Sequence, residues 1–511
     1  MKMKKIVSVL LTIVLVFSVL AFTTACGGDG GGGGNGDRIE ITIGAGEHGF
    51  GLKWLEQCIE EFNEEQDEYK AVLKERSPNF DQKAENQIDQ DEAEYDILII
   101  SEVYWKHNAL KGRFVDLSDV FYSDFNDDYT IEQAMLEDAR YNCKTLGPDG
   151  EEHYYNLNYT ASVSSLIINK SVANFYESKS SWKSSAPKSG KIKTIDDLNK
   201  WVKEIERLSE LYPFTYLDGS GTGPVKGWVY PGQHKQYFDA VLNTLWAQCS
   251  GIETFRRFFE FEDAGVFSDA GRLEALKAFE SMDIKNHTLD CEADDHIQSQ
   301  TKFLAGRAAV IPNGDWIAYE SAGVLSAYST EIEMIYVPQA NKNAQSKYIS
   351  NTASGLCCIP TYKKGQLKTE EKIEGAKEFL KFAFQQEHGP SYFTAETGAL
   401  WGFDGVDGDD TYATELLDGL SDFSQNCISL VNGANAHVTE RPVNFKAENY
   451  LMYTSGTARK YNAGVFSWND LFDASYNAGD SRYTSDAENI YKTEIIFAND
   501  NWEIWKAKIK T

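Results

Sequence analysis

At 511 residues the chain is too long for one ordinary hydrophobic core and calls for two or more lobes. Its formal net charge of −29 argues against nucleic acid and anionic lipid headgroups as partners. With 27 tyrosines, 28 phenylalanines and 11 tryptophans it is not a disordered chain, and many aromatic faces are available for stacking on a ligand.

Lys2, Lys4 and Lys5 precede an uncharged apolar run from Ile6 to Phe22, and Thr23, Thr24 and Ala25 lead from it into Cys26. This is the layout of a secretory signal. The run is marginal for crossing a bilayer, which takes about 20 apolar residues, and a glycine tract from Gly27 to Gly36 follows it instead of a stop-transfer pattern. The layout resembles the bacterial lipoprotein signal, with Thr23 where Leu is usual. That resemblance implies a signal peptide over 1–25, acylation of the Cys26 thiol, and a flexible tether over 26–37, because glycine-rich chains remain coil. Two or more acyl chains would hold the protein stably at a surface. No second long apolar run follows. The other seven cysteines have no metal-ligand spacing and read as reduced, buried thiols, with one disulfide left open.

Ile39 to Ile43 alternates like a strand, and Leu52, Leu55, Ile59 and Phe62 recur at helical spacing. A strand near Tyr69 to Glu75, a polar helix near Asp81 to Asp89 and the buried-type run Ile97 to Ile100 follow. Strands alternating with helices predict a parallel sheet covered on both faces, so the first lobe is α/β. Further strands are predicted at Tyr154 to Tyr159, Ser164 to Asn169, Ala308 to Ile311, Ile332 to Val337 and Leu356 to Ile359. A long amphipathic helix begins at Ile195, with Thr194 and Asp197 placed as a capping pair. Other helices are expected around Phe238 to Leu245, Leu273 to Phe279 and Ile373 to Phe384. From about Gly402 to Trp468 the chain is poor in periodicity and reads as long loops.

Two motifs mimic known sites. Gly44-Ala45-Gly46-Glu47-His48-Gly49 is a GxGxxG between a predicted strand and helix, but an exported chain is a poor place for a nicotinamide cofactor, and the motif alone is weak. Its physical content remains: a glycine-rich turn at the carboxyl edge of a parallel sheet lets a ligand approach the backbone. Asp124, Asn126 and Asp128 start like a calcium loop, yet Tyr129 replaces the needed glycine and Met135 the twelfth-position Glu. Thr130 and Gln133 suggest instead a solvated loop capped into a helix. No GxSxG or HExxH occurs, and the eight histidines show no ligand spacing. No catalytic residue, metal or cofactor is therefore assigned.

An ordered series of segments resembles the extracellular solute-binding proteins of ABC importers, in their carbohydrate-binding group. It runs through Phe62-Asn63, Tyr95 to Ile99, Phe114 to Ser118, Tyr155 to Tyr159, Leu166 to Lys170, Thr194 to Leu198, Phe303 to Val310, Asn313-Gly314-Asp315-Trp316, Ala376 to Phe382 and Thr397-Gly398. The region after Trp401 has no counterpart. The resemblance implies an α/β, two-lobed periplasmic-binding-protein-like fold with a ligand cleft between the lobes. Lobe one would span 38–157 and 345–398, and lobe two 158–344 and 399–511, with a hinge near Asn156 to Asn158. It also implies a monomer that delivers a sugar or oligosaccharide to the transmembrane permease subunits, reaching the membrane through its lipid anchor only, on the extracellular or periplasmic side.

Candidate ligand contacts lie on the loops at strand ends: Glu47, His48 and Phe50 after the first strand, and Ser101, Glu102 and Trp105 after the Ile97 strand. Asn158 and Tyr159 lie at the presumed hinge, Asp315 and Trp316 in the Asn313 stretch, Asn351 before the Leu356 strand, and Trp228 and Trp401 in loops. Aromatic faces cover the C–H surfaces of sugars, while Asn, Asp, Glu and His pair with hydroxyls. The rival reading is a surface glycoside hydrolase, which needs two carboxyl groups roughly 5–10 Å apart across the cleft. A binding protein feeding a membrane sensor is a third.

Overall fold

In a computed structural model, the described residues are 38–399, apart from 48, 101–104, 137–138, 141–142, 161, 260–263 and 353–354, then 419–439 and positions 487, 488, 490–492, 495, 499 and 503. Two sheets organise them. The first runs Tyr69–Ser77, Ile39–Gly46, Ile97–Ile100, Leu356–Cys358, Leu157–Asn158 in spatial order. Its first three strands are mutually parallel, and Leu356–Cys358 enters antiparallel.

Apolar period decides which residues are enclosed. Ile41, Ile43 and Ala45 alternate into the core on one face of the first strand. The Lys53–Glu65 helix buries Trp54, Leu55, Cys58 and Phe62 over that face, and Phe62 meets Phe379 of the Glu370–Ala383 helix edge-on at 5.2 Å. On the other face the Phe80–Asp89 helix seats Phe80 so close to the sheet that a Cβ on Gly44 would lie 2.4 Å from its ring and 2.3 Å from Tyr95. Gly44 is thus required by packing, which accounts for one glycine of the GxGxxG without a phosphate.

The second sheet runs Lys226–Trp228, Ala308–Gly314, Ser162–Asn169, Tyr348–Thr352, Ala436–Thr439, with Ile332–Ile335 also paired to Ser162–Asn169. The Ile195–Leu211 helix opens with the expected Thr194–Asp197 capping box and buries Ile195, Leu198, Trp201, Val202, Ile205 and Leu208. The Asp239–Ser250 helix is enclosed on every side from Asp239 to Gln248. Asn126 Oδ1 accepts from the backbone N–H groups of Asp128 and Tyr129, and Thr130 and Gln133 form a capping box. No described helix is long and apolar enough to cross a membrane. The seven described cysteines are all free thiols.

The chain passes from the first sheet to the second between Asn158 and Ser162, and returns between Thr352 and Leu356. These passages are neighbours, since the Tyr159 N–H donates to the Gly355 carbonyl at 3.0 Å. Tyr348–Thr352 pairs with Ser162–Ser164 and therefore belongs to the second sheet, and Asn158 pairs with Leu356 in the first. The sheets thus change a few residues away from the boundaries read from sequence, because a short polar strand carries no apolar pattern that assigns it to one core.

Candidate functional site

The edge where the sheets meet is built from strand ends. From the second sheet, the Ala308–Gly314 strand runs into Asp315 and Trp316 and then the short Ile317–Glu320 helix. The spacing of Gly314 and Trp316 has a steric cause. The indole folds back over Gly314, where a Cβ would lie 2.0 Å from Cζ3 and 2.3 Å from Cε3. The ring is half-buried, lies 6.1 Å from Tyr237, and packs against the apolar cluster of the first sheet.

Asp315 is buried behind it. Its backbone N–H donates to the Val163 carbonyl at 3.0 Å, and its Oδ1 accepts from the Ser162 hydroxyl at 2.6 Å. Burial pushes this carboxyl up to about 7, although the Ser162 and backbone hydrogen bonds pull the other way. One turn later, Glu320 Oε2 accepts from Gln300 Nε2 at 2.7 Å. Burial raises the Glu320 carboxyl too, with Gln300 and His296 opposing. Burial and the neighbouring His296, 5.8 Å away ring to ring, lower His234.

The first lobe meets this surface at Gly49 and Gly51. A Cβ on Gly49 would lie 3.0 Å from Glu320 Oε1 and 3.1 Å from Trp316 Cβ, and one on Gly51 would lie 2.7 Å from the Tyr319 hydroxyl. Phe50 is buried between them in sequence and meets Phe393 at 5.2 Å. Glu47 pairs with Arg76, whose hydrogen bond holds its carboxyl below the ordinary range.

The expected contacts therefore separate. Asp315 and Trp316 lie at the common edge, which Gly49 and Gly51 approach from the first lobe, whereas Glu47 is paired with Arg76 and Phe50 is buried in the first core against Phe393. Asn158 and Tyr159 lie at the passage between the sheets, with Tyr159 against Trp54 at 4.9 Å and Asn158 fully buried with no partner for Nδ2 among the described residues. Trp105 and Trp228 are 0 % exposed and sit in the apolar cores, Trp105 with Phe80, Ile100 and Tyr155, and Trp228 near Phe238. His48, Ser101, Glu102 and Trp401 fall outside the described residues, as does the side chain of Asn351. Glu320 and Gln300 were missed. The signal available was position, since Glu320 follows Trp316 by four residues and so shares its helical face. Among the described residues no group of His, Cys, Asp and Glu could hold a metal ion.

Two α/β lobes joined by adjacent passages, with strand-end polar and aromatic groups at their shared edge, define the two-lobed class of solute-binding folds. The pattern of the family described as bacterial extracellular solute-binding protein matches residues 51–389. The chain belongs to that family. Among solved structures it is similar to a chitin oligosaccharide binding protein, at 14 % identity and a TM-score of 0.61, covering 92 % of this chain and 100 % of that one. It is similar to the solute-binding protein RafE in complex with raffinose, at 15 % identity and 0.60, covering 90 % and 99 %. The GacH receptor of Streptomyces glaucescens, described unliganded and with acarbose, matches at 12 % identity and 0.61, covering 92 % and 99 %. No curated protein matches the sequence.

Proposed function

We propose that this protein captures a sugar or oligosaccharide between its lobes and delivers it to the permease subunits of an ABC importer, acting as a binding protein and not as an enzyme. The observation that carries the reading is the half-buried Trp316 ring, flanked by the carboxyl groups of Asp315 and Glu320 at the edge between the two sheets. An apolar face beside hydrogen-bonding groups suits a ring with C–H surfaces and hydroxyls. The names of similar structures, which cite chitin oligosaccharide, raffinose and acarbose, support the ligand class. The lobes close by turning about the passages at Asn158 to Ser162 and Thr352 to Leu356, and the permease reads the closed form. The protein works as a monomer held at the outer face of the membrane by a lipid on Cys26, which fatty-acid labelling of the Cys26→Ser variant tests.

A thermal-shift screen against mono- and oligosaccharides tests the main claim, because a ligand of the folded state raises its stability by RT ln(1 + [L]/Kd). The expected result is a rise with at least one sugar and no release of reducing ends. Released reducing ends would instead establish the hydrolase reading, and no shift with any sugar would overturn the ligand class.

A further inference from the structure

A chain of buried hydrogen bonds fixes one carboxylate beside Trp316. Ser321, 4 % exposed, donates its hydroxyl to Gln300 Oε1 at 2.7 Å, and Gln300, 0 % exposed, donates from Nε2 to Glu320 Oε2 at 2.7 Å. Each direction is forced. With Glu320 Oε2 as the acceptor, the amide NH₂ faces Glu320, the amide oxygen faces Ser321, and the hydroxyl donates. The helix that carries Gln300, His296–Leu304, is already fixed by the Asp295 capping box and by burial of Phe303 and Leu304. The relay therefore adds orientation to Glu320 more than support to the helix.

What the relay orients is Glu320 Oε1. This oxygen has no hydrogen bond among the described residues, and Gly49 of the first lobe faces it. The Glu320 N–H donates to the Trp316 carbonyl at 2.9 Å, so ring and carboxylate sit one helical turn apart on one face.

We propose that Glu320 is a specificity-determining residue of the cleft: its Oε1 accepts a hydrogen bond from a hydroxyl of a sugar ring whose C–H face lies on Trp316. Gln300 is a positioning residue that holds the carboxylate in place. This rests on the carbohydrate reading above. It deepens that reading by restricting the ligand: a neutral ring with a free hydroxyl at this point is taken, an analogue lacking that hydroxyl is refused, and an anionic sugar is disfavoured beside the ionised Glu320 carboxylate. A carboxylate gives this selection because its hydrogen bonds are charge-assisted and it cannot donate in return.

The test is calorimetric titration of the full chain with galactose, raffinose and a chitin oligosaccharide, and then with monodeoxy derivatives of whichever binds. Glu320→Ala should weaken binding about tenfold or more, on the scale of a hydrogen bond to a charged group. One deoxy derivative should bind the wild type as weakly as the parent binds the variant, with no further loss when the two changes are combined. Gln300→Leu should weaken binding less and move its acid limb to higher pH, because the lost hydrogen bond had held the Glu320 carboxyl down. The other titratable groups around it are shared by both proteins: His296 and His234, Asp315 one turn earlier, and Glu47, Arg76, Lys53 and Glu396 around Tyr319. A purely structural Gln300 would leave that limb unmoved and would overturn its role. Sugar binding to wild type with equal affinity for Glu320→Ala would overturn the assignment while the ligand class stands, whereas no sugar bound by wild type would overturn both.

Discussion

The Ser162 hydroxyl donates to Asp315 Oδ1 at 2.6 Å, tying the first residue of the strand that enters the second lobe to the turn that carries Trp316. The bond thus couples the end of the passage between the sheets to the turn that positions the ring. The acceptor is a buried carboxyl pushed up to about 7, so the coupling has a pH dependence of definite sign.

The folded state holds a proton on Asp315 across the window from about 4 to about 7, where the unfolded state has released it. Stability must then fall as pH rises through that window, by up to about 4 kcal/mol. Asp315→Asn keeps an acceptor for Ser162 and removes the charge. Its stability relative to wild type, followed by urea unfolding, should improve steadily from pH 4 to 7. A constant difference would show that Asp315 ionises in the fold as it does in the unfolded chain.

Asp96 behaves oppositely. It is 0 % exposed, yet its Oδ2 accepts from the Thr42 N–H at 2.9 Å, the Thr42 hydroxyl at 2.7 Å and Lys363 Nζ at 2.8 Å. Burial alone would raise it, but these bonds hold it below the ordinary value. Its contribution is present above the unfolded value, near 4, and is lost as pH falls through the lowered folded one. Asp96→Asn leaves Lys363 and Lys368 without a counter-charge, and burial already pushes the Lys368 ammonium down to about 7. The variant should lose about 3–5 kcal/mol at neutral pH, and the gap should close in acid.

Two tryptophans of the second lobe, Trp228 and Trp316, separate binding from packing. Trp228→Ala empties a site that is 0 % exposed in the core and should cost about 3–5 kcal/mol of stability. Trp316→Ala should keep most stability and lose about 2 kcal/mol or more of ligand affinity. Gly314→Ala, which drives the indole off its seat, should reproduce that loss with Trp316 in place. Thermal melts paired with titrations read both quantities, and normal affinity in a destabilised Trp316→Ala would make the ring a core residue.

Sequence alone located what is governed by burial within one lobe. The Ile97–Ile100 strand is all apolar because both its faces are covered, and the Ile195 helix announces itself by period and cap. It could not separate Trp105 and Trp228 from Trp316, because a strand-end aromatic facing inward and one facing the other lobe have the same local pattern. Tyr348–Thr352 was missed for a related reason: its Ser and Asn residues follow no apolar alternation, and its place comes from pairing with Ser162–Ser164. Glu320 gains its meaning from Gln300, twenty residues away on another helix, and from a glycine turn in the other lobe. Neither partner is visible until the lobes are assembled.

The last prediction concerns that glycine turn. Gly51 has φ of +65°, so any side chain there is strained, whereas Gly49 has no such conformation and can be replaced without backbone cost. A Cβ at Gly49 would still stand 3.0 Å from Glu320 Oε1 and 3.1 Å from Trp316 Cβ, and the branches of valine would intrude further. These contacts join the two lobes, so Gly49→Val should penalise the closed form while each lobe keeps its own core. Overpacking of about 1–3 kcal/mol lowers affinity by about 5- to 150-fold, and a ligand must supply roughly 5.5 kcal/mol of preference to move a mostly open population to a mostly closed one. Small-angle scattering with saturating sugar should give a larger radius of gyration for Gly49→Val than for wild type, at an unchanged melting temperature of the unliganded protein. Equal radii in the bound state would mean that the lobes do not meet at this turn when the ligand is held.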